Sequence, residues 1–335
     1  MTNDLAAVDA APRALGLRAG DRVRLRSWDQ IQAVLDSDGC TDNLPFMVEM
    51  LALQGGTMTV ESRADKTCDT INLQGCTREM DDTVHLRNMR CDGSAHGGCQ
   101  AYCMFYFREQ WLERVSDDEA LLTNGTSSAP PDEMVDTLDR FAHPSENYYR
   151  CQATQALEAS RPLRGIGHYW DTARTRNVPL GLALRWIFWG VVNFYQKFSR
   201  HFVPKALRYR HGAMLPYLWG PVTDENWPQE PPLDLQPGEL VEVRSQKEIR
   251  ATLDRFQRNR GLWFDQEMVT HCGRRGRVLH RVERLIDEKT GKMLRVRKDL
   301  YIISGLVGCE GTFHKLCTRA VMGMFRDVWL RRVEE

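Results

Sequence analysis

The chain has 335 residues, 42% of them hydrophobic and 27% charged, which is enough to bury the cores of two or three small domains and excludes a disordered tail. Lys plus Arg and Asp plus Glu number 45 each, so no net field draws the protein to nucleic acid and no nucleic-acid partner is expected. Ten cysteines are too few for a disulfide-dense secreted scaffold of this length, and the first 20 residues hold no apolar run of signal-peptide length, so the expected location is cytoplasmic, with reduced thiols.

From the N-terminus, the alternation in GDRVRLRS (20–27) predicts a strand. Ser27 then caps a short helix carrying Ile31, Val34 and Leu35 at helical spacing. A strand after a glycine turn and a hairpin follow across GTMTVESRADKTCD (56–69), then a strand at HLRNM (85–89), and FREQWLERV (107–115) closes the unit as helix or strand. Residues 116–137 carry six acids, no base and a central SSAPP, and read as a solvated linker. PSENYYRCQATQALEAS (144–160) reads as a capped helix. VPLGLALRWIFWGVVNFYQKF (178–198) contains 17 residues, Pro179 to Tyr195, whose only charge is Arg185. That is marginal for a bilayer span, which needs about 20 residues. Its aromatic residues, followed by five bases and no acid over 196–211, predict a helix lying in the plane of an anionic membrane; a helix buried between units and a true span are the alternatives. A five-proline linker, 221–239, leads into the last segment.

That segment repeats the first. A shift of 218 residues superimposes 17–115 on 235–333 without a gap, with over a quarter of the paired positions identical. Phe46, Glu49 and Met50 meet Phe264, Glu267 and Met268, and FREQWLERV meets FRDVWLRRV. The expected fold is therefore a β-rich α+β protein: a first SH3-like small barrel over 17–115, a linker and helical insert over 116–236, and a second SH3-like barrel over 237–335.

The repeat also carries the sharpest chemical signal. CDGSAHGGC (91–99) meets CEGTFHKLC (309–317), so C-x4-H-x2-C occurs twice. Cys91, His96 and Cys99 with Cys68 or Cys103 would make one tetrahedral thiolate/imidazole set, and Cys309, His314 and Cys317 with Cys272 a second, which suits zinc; an iron–sulfur cluster is the alternative cofactor. The contrary reading is that these are small core cysteines with satisfied histidines. Asp92, Ser94, His96 and Cys99 also lie close enough in sequence for cysteine-based catalysis, although Asp and Ser here fit turn-forming roles better. Glu49 and Glu267 read as helix or turn stabilisers, and Arg108 and Arg326 as guanidinium groups packed near Trp111 and Trp329 at the barrel surface. Signatures for nucleotide hydrolysis, hydride transfer and zincin proteolysis do not occur.

The strings KTCD (66–69), CDGSAHGGCQAYC (91–103), FREQWLERV (107–115), CQATQAL (151–157), RNRGLWFDQEM (258–268) and RVERLIDEKTGKML (281–294) resemble a bacterial family of tandem-unit proteins over nearly the whole chain. In such relatives the position of Gln54 is often cysteine, matching Cys272. The resemblance implies a gene neighbourhood of polysaccharide or natural-product assembly and carries over no activity. The expected function is a zinc-binding accessory or assembly component of a biosynthetic pathway, peripheral to the membrane and able to meet a pathway protein partner. The rival is a metal- or cysteine-dependent tailoring enzyme acting at the first Cys/His loop.

Overall fold

A computed structural model describes residues 14–72, 75–116, 129–164, 177–208, 216–223, 227, 231–308 and 316–334. In the first unit, β1 (Arg22–Leu25) precedes a short helix α1 (Trp28–Gln32), whose first turn is closed by the Ser27 N–H donating to Gln30 Oε1 at 3.3 Å. A 3₁₀ segment, Val48–Leu53, leads to β2 (Met58–Arg63), then to the hairpin β3 (Thr67–Asp69) and β4 (Gly75–Glu79), and on to β5 (Thr83–Leu86). FREQWLERV is neither one helix nor one strand. It forms β6 (Phe107–Arg108), a 3₁₀ turn (Glu109–Trp111) and β7 (Leu112–Arg114).

The insert departs from the linker expectation at the far end of 116–137, residues 117–128 lying outside the described residues. Asp132–Ala142 forms helix α2, which sets Met134 and Leu138 into the first unit's core, so acidic residues 132, 133 and 136 lie on a packed helix rather than in a solvated linker. Helix formation in 144–160 is confined to α3 (Gln152–Gln155), and the long helix α4 spans Leu180–Phe202. The second unit runs β8 (Leu240–Val243), α5 (Gln246–Ala251), α6 (Gln266–Val269), β9 (Arg275–Arg281), β10 (Arg284–Ile286), β11 (Met293–Arg295), β12 (Leu300–Val307), β13 (Met322–Arg326), a 3₁₀ turn (Asp327–Trp329) and β14 (Leu330–Arg332).

The two sheets are copies. Their strand orders are β6-β5-β2-β1-β7 and β13-β12-β9-β8-β14, so in each the last strand returns antiparallel beside the first. The cores repeat at the same register. Phe46 meets the Trp111 ring edge-on at 5.1 Å, and Phe264 meets Trp329 at 5.0 Å. Both tryptophans are fully buried and donate their indole N–H, to Thr41 Oγ1 at 2.8 Å and to Thr252 Oγ1 at 3.0 Å. This overturns the surface reading of the first pair. Arg108 is 4% exposed and donates to the carbonyls of Thr41, Asp42, Asp81 and Ala159, tying β6 to the insert rather than stacking outside.

The units also cross over one another. The first unit's loop 91–103 docks on the second unit's β10–β11 hairpin: Gln100 N–H donates to Arg284 O at 3.0 Å, and its side-chain NH₂ to Arg281 O at 3.1 Å. The second unit's residues 316–320 dock on the first unit's β3–β4 hairpin in the same manner. Thr318 Oγ1 donates to Arg63 O at 2.8 Å, and position 318 pairs with 100, as 281 does with 63, under the 218-residue shift. The contact is thus pseudo-symmetric.

Candidate metal centre

The loop that carries Cys91, His96 and Cys99 is closed at its neck by Cys91 N–H donating to Cys103 O at 2.8 Å. Inside it, the N–H groups of His96 and Gly98 both donate to Gly93 O. Gly93 has a φ of +76°, and a β-carbon there would lie 2.1 Å from Cys99 O, so only glycine lets the loop fold this tightly on itself. Asp92 Oδ1 accepts from both the N–H and the hydroxyl of Ser94, at 2.9 and 2.7 Å, and both residues are exposed. They form the turn and leave the inward direction to His96 and the cysteines.

His96 is 2% exposed and stands between two partners. Its Nε2 lies 3.3 Å from Cys91 Sγ, and its Nδ1 lies 2.9 Å from Glu49 Oε1, off the axis of a straight hydrogen bond. Glu49 is delivered by the 3₁₀ segment Val48–Leu53. Burial alone would raise its carboxyl. The His96 ring and the N–H groups of Glu49 and Ala95 outweigh burial and hold it below the ordinary range, so the carboxylate is ionised. Burial, reinforced by the Glu49 charge, pushes the Cys91 thiol well up.

Glu49, Cys91 and His96 are close enough together to hold a metal ion. A tetrahedral zinc with bonds of about 2.3 Å to sulfur and about 2.0–2.1 Å to nitrogen sets those ligand atoms roughly 3.5 Å apart. The observed 3.3 Å between Cys91 Sγ and His96 Nε2 needs little adjustment. With Nε2 facing the thiol, Glu49 stands where an outer carboxylate orients a ligating histidine through its other nitrogen.

A cavity of about 40 Å³ adjoins this group, and Cys99, Cys103 and Cys151 line it alongside Cys91 and His96. Cys151 arrives from the insert as the N-cap of α3. Its neighbour Gln152 fixes it there, accepting from Tyr106 N–H at 2.8 Å and donating to the carbonyls of Tyr106 and Pro45. The second unit closes the far side of the cavity with Ile286, Glu288 and the buried Arg319. Arg319 pairs with Glu288 at 3.2 Å and donates to Cys68 O at 3.0 Å.

The remaining expected ligands are distributed differently. Cys68 does not join Cys91; its Sγ lies 3.2 Å from Cys317 Sγ of the second unit, in a buried cluster with Cys76. Cys272 packs at the edge of the second unit's own core, with burial raising its thiol to about 12. Cys309 and His314 lie outside the described residues. The sequence reading takes Glu49 for a helix or turn stabiliser and does not single out Cys151 or Arg319. Glu49 had left a signal in its recurrence as Glu267, which is likewise buried at 1% exposure. Cys151 had left one in the CQATQAL string. No protein-family model matches this chain, and no curated protein or solved structure matches it.

Proposed function

We propose that this protein is a zinc-binding accessory or assembly component of a bacterial biosynthetic pathway, a member of the tandem-unit family its motifs resemble, built of two SH3-like units and held against an anionic membrane surface. The observation that carries the metal reading is the Cys91–His96–Glu49 alignment, with three further thiols around the adjoining cavity. Thiolate and imidazole donors suit zinc, and a carboxylate behind the imidazole is the usual support of such a ligand. The SH3-like reading is supported by the strand order, in which the last strand, entered through a 3₁₀ turn, returns beside the first in both units. The membrane reading is supported by α4, whose Leu184, Ile187, Phe188, Val191, Phe194 and Phe198 are each more than half exposed along one side.

A second reading, a cysteine-dependent tailoring enzyme, has the same three groups in its favour, since thiol, imidazole and carboxylate are also the order of nucleophile, base and orienting acid. Two observations weigh against it. Burial opposes the thiolate that a nucleophile requires, and about 40 Å³ holds an ion with a water or two rather than an organic substrate. Elemental analysis of the full-length protein separates the readings. Zinc that binds the wild type and is lost from His96→Gln, together with slow alkylation of Cys91 until metal is stripped, supports the first. A folded, metal-free wild type whose Cys91 is the fastest thiol to alkylate supports the second.

A further inference from the structure

Cys68, Cys76 and Cys317 form a second buried thiol cluster, built across the two units. Cys68 and Cys76 are directly opposed on β3 and β4, and Cys317 enters from the other unit to 3.2 Å between its Sγ and that of Cys68. Cys76 packs with both in one buried cluster. All three are at most 6% exposed.

The pseudo-symmetric contact is an internal control on what these thiols are for. Under the 218-residue shift, Cys68, Cys76 and Cys317 correspond to Ile286, Leu294 and Cys99. At the mirror crossing Ile286 lies over Cys99, its N–H 3.4 Å from Cys99 Sγ. An aliphatic side chain, Ile286, therefore fills at the mirror junction the place that Cys68 takes here, while Leu294 is half exposed. Three converging thiols at the other crossing have a role beyond filling space, because thiols are weak hydrogen-bonding partners for one another and strong ligands for soft cations.

We propose that Cys68, Cys76 and Cys317 form a second zinc-class metal site that clasps the first unit's hairpin to the second unit, distinct from the centre at Cys91 and His96. The 3.2 Å sulfur separation is too long for a disulfide and about half an ångström short of the roughly 3.8 Å edge of a zinc–thiolate tetrahedron, a spread that a hairpin end can supply. The hairpin end is held in place beside the cluster by the buried Arg319, whose guanidinium pairs with Glu288 and donates to Cys68 O. A metal here would couple folding of the two units, because neither unit owns a complete set of these three ligands.

The test uses the full-length protein purified without a metal-binding tag from zinc-supplemented cells, with zinc counted per chain. The key variant carries Cys68→Ile with Cys76→Leu, which installs the residues of the mirror crossing and so removes the thiolates while keeping an apolar junction; circular dichroism checks that it is folded. Cys317→Ser is the companion. We expect each to lose one equivalent relative to wild type, with His96→Gln losing a different one, and Co(II)-loaded Cys68→Ile/Cys76→Leu to lose part of its thiolate charge-transfer absorption. If the Cys91–His96 centre holds no metal, the wild type carries a single equivalent that His96→Gln retains and these variants lose. Unchanged zinc in the folded double variant, or a Cys68–Cys317 disulfide in protein purified anaerobically, would overturn the proposal.

Discussion

His85 shows what burial does to a single titratable group in this fold. It is wholly enclosed, with Nδ1 2.8 Å from Phe105 O and its ring 4.6 Å from that of Tyr106. Burial pulls its pKa down from the usual 6.5 to about 4. The unfolded chain therefore binds a proton that the folded chain refuses between these values. Stability from this source is full above pH 6.5 and declines as the pH falls toward 4, by about 3 kcal/mol over the window. Chemical denaturation of wild type and His85→Ile, the residue at the paired position 303, should show a shallower acid decline in the variant. Parallel declines would remove His85 as the cause. At this scale the loop ligands were legible, because Cys91, His96 and Cys99 fall within nine consecutive residues. The partner of Cys68 was not, because Cys317 lies 249 positions away and only the crossing of the units brings it near.

At the level of the element, α4 inverts the arrangement of a soluble-protein helix. Gln196 and Ser199 face inward at 1% and 2% exposure while the phenylalanines of the opposite side face out, so the helix is not wedged between the units by its apolar side. Its start is anchored to β2 through Asn177, whose side chain accepts from Arg63 N–H at 2.6 Å and donates to Arg63 O at 3.0 Å. No helix among the described residues is long and apolar enough to cross a membrane. An exposed apolar stripe with Lys197 and Arg200 beside it suits the headgroup boundary of an anionic bilayer. Wild type should float with phosphatidylserine-containing vesicles, and Phe188→Ser/Phe194→Ser should stay behind. Trp186→Ala/Trp189→Ala should do less harm, since both tryptophans are half-buried. Equal flotation of wild type and the phenylalanine variant would exclude α4 as the contact. The sequence was legible for the amphipathic length of this helix and silent on its direction, because an apolar stripe reads the same whether it meets a core or a membrane.

For the whole molecule, the repeat was legible from identities in one register, down to the Phe–Trp pairs of both cores. The crossing was not, because loops that dock on the other unit leave each unit's own pattern of apolar residues unchanged. It makes residues of one unit part of the other's stability. Gln100 Oε1 accepts from the N–H groups of Glu283 and Arg284, at 2.6 and 3.0 Å. Gln100→Ala should therefore speed amide hydrogen exchange at 283 and 284, in the opposite unit, with a loss of about 0.5–1.5 kcal/mol, since water can reach the freed donors. Exchange at those amides equal to wild type would show that the units hold together without this contact.

A reciprocal docking of one unit's loop on the other's hairpin is the contact that two copies of one 100-residue chain make when they associate as an isologous homodimer. In such an ancestor every substitution would appear at both crossings at once, and the two sulfur clusters would be forced to remain identical. Joining the copies into a single polypeptide removes that constraint. One crossing can then keep three thiols while the other becomes Ile286, Leu294 and Cys99 beside a histidine and a cavity, so that clasp and pocket evolve as separate parts.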